Sequence, residues 1–186
     1  MSQISIEGKR LHGLYDVHFT PFEDDRGSLF KYFTPHHFAE IDTEIIWRQV
    51  IIQRTEVKGT IRGIHAQKPP HVESKLLVPL SGRMFWVCVD LRTDSETFGQ
   101  WDATILDADN PVGLYAARGF AHGCCSLSDD CELLILADND FAEGLGIHYA
   151  DSDLNIDWPI DGPITISTAH AELQSFQEFC RTVGGL

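Results

Sequence analysis

Short strand-like segments separated by turns dominate this sequence, and they restrict the fold more than any other feature. About nine of them recur at intervals of roughly 8–12 residues, bounded by Gly, Pro, Asn, Asp or Ser. Such a series predicts an all-β sandwich, jelly roll or closed barrel. The chain has 186 residues, 43% of them apolar, so it can bury a full core, and we expect one domain over residues 1–186.

The clearest pair of predicted strands is Lys75–Leu80 and Met84–Leu91, which flank a turn containing Gly82. Two apolar runs around so short a turn predict a β-hairpin. Helical patterns are rare. Pro35–Ile41 predicts a single helical turn, because proline is favoured at the first helical position. Apolar residues about three apart within Ser167–Phe179 predict a short amphipathic C-terminal helix.

Charge and cysteine content limit the possible partners. The net charge is −14 without a long block of one sign, which argues against nucleic acid or an anionic membrane as partner. There is neither an apolar leader-like segment nor a run approaching the roughly 18 apolar residues of a spanning helix, so we expect a cytoplasmic protein. The 5 cysteines cannot all pair within one chain, and we expect them to be reduced.

Candidate catalytic groups fall on two neighbouring predicted strands. His65 has the ordinary pKa of a general base near neutrality, although a lone histidine is more often a buried structural residue. Lys75 changes that balance, because a cation beside His65 could stabilise an oxyanion formed from a carbonyl. The guanidinium groups of Arg62 and Arg26 suit bidentate contact with phosphate, with surface ion pairing as the alternative.

A second histidine, His122, lies between two glycines in Gly119–Gly123, which we expect to form a loop over the barrel mouth. His65, His122 and a carboxylate could in principle ligate a metal ion. The chain has no His-x-His or His-x-x-x-His spacing at these positions. We therefore expect no metal ion and no other cofactor.

Several short motifs follow one another along the chain. They are Arg62-Gly63-Ile64-His65-Ala66-Gln67, Lys75-Leu76, Val89-Asp90-Leu91-Arg92, Thr97-Phe98-Gly99-Gln100-Trp101, Gly119-Phe120-Ala121-His122-Gly123 and Ile156-Asp157-Trp158-Pro159. With the turn Asp25-Arg26-Gly27, their order resembles that of the dTDP-4-dehydrorhamnose 3,5-epimerase family over roughly residues 15–175. The resemblance implies a cupin-like jelly roll, or double-stranded β-helix, that is usually a homodimer and needs no metal.

The resemblance also implies a substrate class and roles for residues. The substrate would be a nucleoside diphosphate sugar, dTDP-linked, carrying a 4-keto-6-deoxyhexose. The enzyme, an isomerase, would remove a proton beside the ketone and replace it from the opposite face. His65 would be the base, Lys75 would stabilise the enolate, and His170 completes the predicted catalytic set. The predicted substrate-binding residues are Arg26, Arg62, Gln49, Gln67, His122 and Lys31.

Departures from the family pattern fall within this predicted site. Ile135 stands where the family has the tyrosine that acts as the acid on the opposite face. His170 stands where the family has an aspartate, and a neutral imidazole supplies no anion to favour a charged His65. Lys31 replaces a glutamate, and Trp86 replaces the aspartate of Phe-Asp-Val. A replacement acid could come from Tyr115, Tyr149 or Tyr32.

Three functions remain open from the sequence. The first is a nucleotide-sugar epimerase of altered scope, acting at one carbon, with water or another side chain as the acid. The second is a related isomerase that uses His65 and Lys75 with His170 as a relay. The third is a binding or assembly protein that has lost catalysis. Because losing an acid costs about 10²–10⁴-fold rather than all activity, we rank the first reading highest and the third next.

Overall fold

The computed structural model describes residues 3–42 and 45–186, which form thirteen strands and three short helices. The strands are β1 (Gln3–Gly8), β2 (Leu14–Thr20), β3 (Phe22–Asp24), β4 (Gly27–Leu29), β5 (Gln49–Thr55), β6 (Ile61–Gln67), β7 (Lys75–Ser81), β8 (Arg83–Asp90), β9 (Trp101–Asp107), β10 (Val112–Ala116), β11 (Phe120–Ser126), β12 (Cys131–Ala137) and β13 (Gly144–Gly146). The helices are α1 (Pro35–Phe38), α2 (Thr168–Ala171) and α3 (Phe176–Thr182).

Two antiparallel sheets make up the body of the protein. One has six strands in the order β1-β2-β10-β7-β12-β5, and the other has five in the order β13-β6-β11-β8-β9. The central core cluster takes side chains from both sheets, among them Leu77 and Ile135 from the first and Trp86 and Cys124 from the second. β3 and β4 form a separate two-stranded hairpin. The prediction of an all-β, cupin-like jelly roll is therefore confirmed.

The predicted hairpin between β7 and β8 is wrong. β7 lies between β10 and β12 in the six-stranded sheet, whereas β8 lies between β11 and β9 in the other sheet. The chain changes sheets at Gly82, whose φ is +69°, and a Cβ there would lie 2.7 Å from Ser128 Oγ. Strands that switch sheets at a corner are typical of packed β-sheets. Both strands are apolar on both faces, so their pattern carries no information about which strand pairs with which.

The predicted C-terminal helix is divided into α2 and α3 by an extended segment. Gln174 in this segment forms a β-bridge with Ile147, and Leu173 packs so closely that a Cβ on Gly146 would lie 2.3 Å from it. Pairing with the sheet thus interrupts the helix. The predicted turn at Pro35–Ile41 is present as α1. Among the described residues the longest helix is α3, with 7 residues, and none has the length and apolar character needed to cross a membrane.

Candidate functional site

β6 carries three predicted site residues on the side that faces the opposite sheet. Ile64 and Ala66 point outward, into a cluster with α3 and the C-terminal segment. Since side chains alternate along a strand, His65 and Gln67 point inward, and the irregularity in the β6–β11 pairing between Gly63 and His65 turns Arg62 to the same side. The Arg62 side chain confirms this direction, because its Nε donates to Thr55 Oγ1 of β5, across the interior, at 3.3 Å.

Gly63 is required by packing within the sheet. Its φ is +87°, and a Cβ at this position would lie 2.3 Å from the carbonyl oxygen of His122 on β11. A glycine beside a candidate base can let a ligand approach the backbone closely. The space beside it is instead filled by the neighbouring strand, so any larger residue would push β6 away from β11.

His122 lies inside the barrel and not in a loop over its mouth, so that prediction was wrong. Gly119–Gly123 leads directly into the central strand β11, where His122 and His65 are Cα partners. His122 is buried, and desolvation, followed by the nearby Lys75 and His65, lowers its pKa well below the ordinary value. A burial this complete keeps the imidazole neutral.

His65 and His170 stack on each other. Their ring centroids are 5.9 Å apart with 17° between the planes, and no hydrogen bond joins the two rings. The His65 ring is open to solvent, yet protein atoms crowd around it; desolvation, then the proximity of Lys75 and His170, lowers its pKa to about 4. Desolvation and Arg62 also lower the pKa of His170. His170 therefore gives His65 neither an anion nor a hydrogen-bond acceptor.

Lys75 begins β7 and forms an ion pair that the sequence reasoning missed. Its Nζ lies 2.8 Å from Glu73 Oε1, and the two side chains are only 13% and 11% exposed. Between them, the backbone N–H of Ser74 donates to Asp138 Oδ1 at 2.7 Å and anchors this segment to β12. The signal was available in the sequence, because residues two apart in an extended chain share a face. The largely buried carboxylate of Glu73 thus fixes the Lys75 cation beside His65.

The glutamines of the predicted site have different surroundings. Gln67 holds loops together, since its amide nitrogen donates to the carbonyl groups of His71 and Asp140 and its oxygen accepts from the backbone N–H of Ala142. The Gln49 amide donates to the carbonyl of Asn139 at 2.5 Å. Through these hydrogen bonds both side chains hold the loops beside the cavity in place.

Two predicted binding residues lie apart from this cluster. Arg26 is exposed on the β3–β4 hairpin, and its guanidinium donates to Asp24 Oδ2 at 2.6 Å within the same hairpin. Lys31 follows the hairpin and is exposed as well. The structure therefore brings His65, His122, Lys75, Arg62 and His170 together, but not Arg26 or Lys31.

No hydrogen bond joins a tyrosine hydroxyl to His65, Lys75 or His122 in the part of the chain that the structure describes. Ile135 is buried in the central core cluster, on the inner face of β12. The Tyr115 hydroxyl donates to Asp42 Oδ2 at 3.0 Å. The other tyrosine rings contact their own aromatic neighbours: Tyr15 contacts Tyr115, Tyr32 contacts Phe19 and Phe30, and Tyr149 contacts Trp158. Trp86 lies beside His122, and Ile135 belongs to the same core cluster as Trp86.

The described residues can also be compared with the requirements of a metal site. Over residues 3–42 and 45–186, no group of three or more His, Cys, Asp or Glu side chains is arranged to hold a metal ion. The five cysteines are free, and four of them are buried. What the site offers chemically is the three imidazoles of His65, His122 and His170, one lysine paired with a carboxylate, and one guanidinium.

Comparison with known proteins agrees with this architecture. Residues 9–178 match the family model described as dTDP-4-dehydrorhamnose 3,5-epimerase. The chain is 34% identical over 145 residues to the dTDP-4-dehydrorhamnose 3,5-epimerase of Shigella flexneri, covering 77% of this chain and 80% of that protein. It is 31% identical over 156 residues to the dTDP-4-dehydrorhamnose 3-epimerase of Streptomyces niveus, covering 83% and 75% respectively.

A solved structure extends the match to nearly the whole fold. The crystal structure of NovW, a 4-keto-6-deoxy sugar epimerase from the novobiocin gene cluster of Streptomyces spheroides, superposes with a TM-score of 0.90 at 29% identity. The alignment covers 98% of this chain and 92% of NovW. Both the sequence resemblance and the predicted isomerase class are thereby confirmed. The chain belongs to the dTDP-4-dehydrorhamnose 3,5-epimerase family.

Proposed function

We propose that this protein binds a dTDP-linked 4-keto-6-deoxy sugar in the barrel interior and epimerises it at one carbon beside the ketone. The observation that carries the proposal is the convergence of His65, Lys75 and His122 on one interior surface, next to a wall from which the family's tyrosine is missing. A base and an oxyanion stabiliser are retained, and the acid has been lost.

The first half of the reaction needs a base and a cation. With a pKa of about 4, His65 is fully deprotonated at neutral pH and can accept the proton, although a low pKa makes it a weak base. The negative charge then develops on the ketone oxygen, where Lys75 is held by Glu73 to stabilise it. Arg62, facing the same interior, suits contact with the phosphates.

The second half needs a proton from the opposite face. No hydrogen bond joins a tyrosine hydroxyl to the cavity residues in the described part of the chain, and His65, which is open to solvent, can release the proton it has taken to bulk water. We therefore assign the proton donor to water. Delivery by water is slower than by a positioned acid, and a slow reprotonation favours release of the product after a single inversion.

Proton exchange read by NMR tests this function. The protein is incubated in deuterated water with a dTDP-linked 4-keto-6-deoxy sugar, and we expect deuterium at one carbon beside the ketone together with inversion at that carbon. A dTDP sugar without the ketone is the control, and it should bind without exchange. Deuterium at both carbons would contradict action at one carbon.

Loss of catalysis is the second candidate function, and two observations favour it. Ile135 removes the positioned acid, and the stacked His170 leaves His65 without an anion. The same experiment separates the two functions: binding of the ketosugar without any exchange supports a binding protein. If no dTDP sugar binds, both proposals fail.

We also propose a homodimer formed through β5, and we expect charged substitutions on this strand to dissociate it. β5 is one of the two edge strands of the six-stranded sheet, and its Val50 and Ile52 are 70% and 46% exposed. A long apolar edge strand invites pairing with another chain, and lysine on the edge opposes such pairing. The variant Val50→Lys/Ile52→Lys should change the molar mass in light scattering from that of a dimer to that of a monomer.

The matched control is Ile105→Lys on β9, the edge of the other sheet, where the side chain is 39% exposed. This variant should remain dimeric. A wild-type protein that is monomeric at micromolar concentration would contradict the proposal, and so would a dimer that survives the β5 substitutions.

A further inference from the structure

The surroundings of His122 determine which of its nitrogens carries the proton. Trp86 Nε1 lies 3.4 Å from His122 Nδ1, and Cys88 Sγ lies 3.4 Å from the same atom. An indole nitrogen can only donate a hydrogen bond. Nδ1 must therefore accept, and the proton of a neutral imidazole must be on Nε2.

The other side of the ring has no protein partner. His122 Nε2 is buried and makes no hydrogen bond to any residue in 3–42 or 45–186. Nε2 is on the side of the ring away from Nδ1 and Trp86, and both Lys75 and His65 are close enough to act on the imidazole. A buried donor without a partner is costly, and in functional sites a ligand often supplies the acceptor.

We propose that Trp86 is a positioning residue: its indole N–H holds His122 as the neutral Nε2–H tautomer, and that N–H donates to an oxygen of the bound sugar. This inference rests on the proposed function for the identity of the ligand. The tautomer itself is a property of the free protein and is independent of any substrate.

The residue type at position 86 decides which nitrogen of the His122 imidazole carries the proton. A carboxylate there would accept a hydrogen bond from Nδ1–H and would favour the charged imidazolium. The indole donates instead, so it disfavours a proton on Nδ1. With Lys75 nearby as the cation, a neutral donor at His122 adds a hydrogen bond to the ligand without adding a second positive charge.

Nitrogen NMR of histidine-labelled free protein tests the tautomer. In the wild type we expect the His122 imidazole to stay neutral from pH 5 to 8, with Nδ1 unprotonated and Nε2 protonated. Trp86→Phe should convert it to a mixture of tautomers. Cys88→Ala is the matched control, since it removes the other neighbour of Nδ1, and it should leave the tautomer unchanged. A protonated Nδ1 in the wild type would overturn the proposal even if Trp86→Phe does not fold.

Calorimetric titration tests the contact with the ligand. Removing one buried hydrogen bond changes affinity by roughly 3–10-fold. Trp86→Phe should therefore weaken binding of a dTDP-linked 4-keto-6-deoxy sugar by that factor while leaving the affinity for dTDP alone unchanged. Equal weakening of both ligands, or no weakening of either, would overturn the role of Trp86. If the wild type has the expected tautomer and binds no dTDP sugar, the proposed function fails and the tautomer assignment stands.

Discussion

Replacing His65 with asparagine is expected to slow deuterium incorporation by about 10²–10⁴-fold, the usual contribution of a positioned general base. Asparagine has nearly the size of the imidazole and can form hydrogen bonds, but it cannot accept a proton. Because the His65 ring is open to solvent and contributes little to the core, the variant should fold normally. Its affinity for the dTDP sugar should change by less than about tenfold, since binding is shared with Arg62 and Lys75.

The matched control is His36→Asn, at an exposed position of α1 outside the cavity. Exchange by this variant should equal that of the wild type. Circular dichroism and the thermal midpoint should agree among all three proteins. Exchange by His65→Asn at the wild-type rate would remove His65 from the base role, and the interior would then have to supply another base, for which Glu73 is the nearest carboxylate to Lys75.

The two histidines that pair across β6 and β11 have uncharged rings as their neighbours. His65 faces another imidazole, His170, and His122 faces an indole, Trp86, so neither ring has an anionic neighbour that would keep it protonated. The one carboxylate close to the site, Glu73, pairs with Lys75 instead. The cavity therefore carries its positive charge on lysine and arginine. Such a site can bind a diphosphate while its imidazoles remain neutral at physiological pH.

The sequence predicted the fold class well and the strand pairing poorly. Turn spacing marks where strands begin and end, so the predicted strands Lys75–Leu80 and Met84–Leu91 agree with β7 and β8 to within one residue at each end. Strand pairing depends on segments far apart in the chain. Because β7 and β8 are apolar on both faces, their sequences do not indicate which strand each of them pairs with. The same holds for β1 (Gln3–Gly8), which pairs with β2 at the edge and was not anticipated.

The motifs that carry the family resemblance also have structural roles, which the sequence does not distinguish from functional ones. Asp90 is fully buried and accepts hydrogen bonds from Arg92, Ser95 and Thr97. Burial alone would raise the pKa of this carboxyl, but those hydrogen bonds outweigh it and lower the pKa to about 2. Two of the motifs that resemble the family thus build one corner of the barrel.

The candidate site was only partly predictable. His65, Lys75 and His122 were identified from residue type and order, and the structure brings them together. The ion pair of Glu73 was not anticipated, since it depends on the path of the loop before β7. Trp86 was placed in the site by the family resemblance, but its contact with His122 depends on the register of β8 with β11. Such registers arise from packing, which single-sequence patterns do not encode.

Replacing His170 with aspartate is expected to raise the pKa of His65 and the rate of proton exchange together. An opposite charge within a few ångströms raises the pKa of a histidine by about 1–3 units, from the present value of about 4 toward the ordinary range near 6.5. A base whose pKa is closer to the working pH is more effective, so we expect exchange at pH 8 to rise by about tenfold to a hundredfold.

The pH dependence gives this prediction its sharpest test. The active form of His65 is the neutral imidazole, and in the wild type it is fully present above about pH 5, so the rate should be flat from pH 5 to 8. In His170→Asp the neutral fraction falls as the pH drops through the raised pKa, so the rate should decline between pH 8 and 5. NMR titration of His65 should give the same midpoint. His170→Asn, which has a similar size and no charge, is the control and should leave both the midpoint and the rate near their wild-type values. A gain in His170→Asn equal to that in His170→Asp would assign the effect to the loss of ring stacking, and the missing anion would then not be what limits this base.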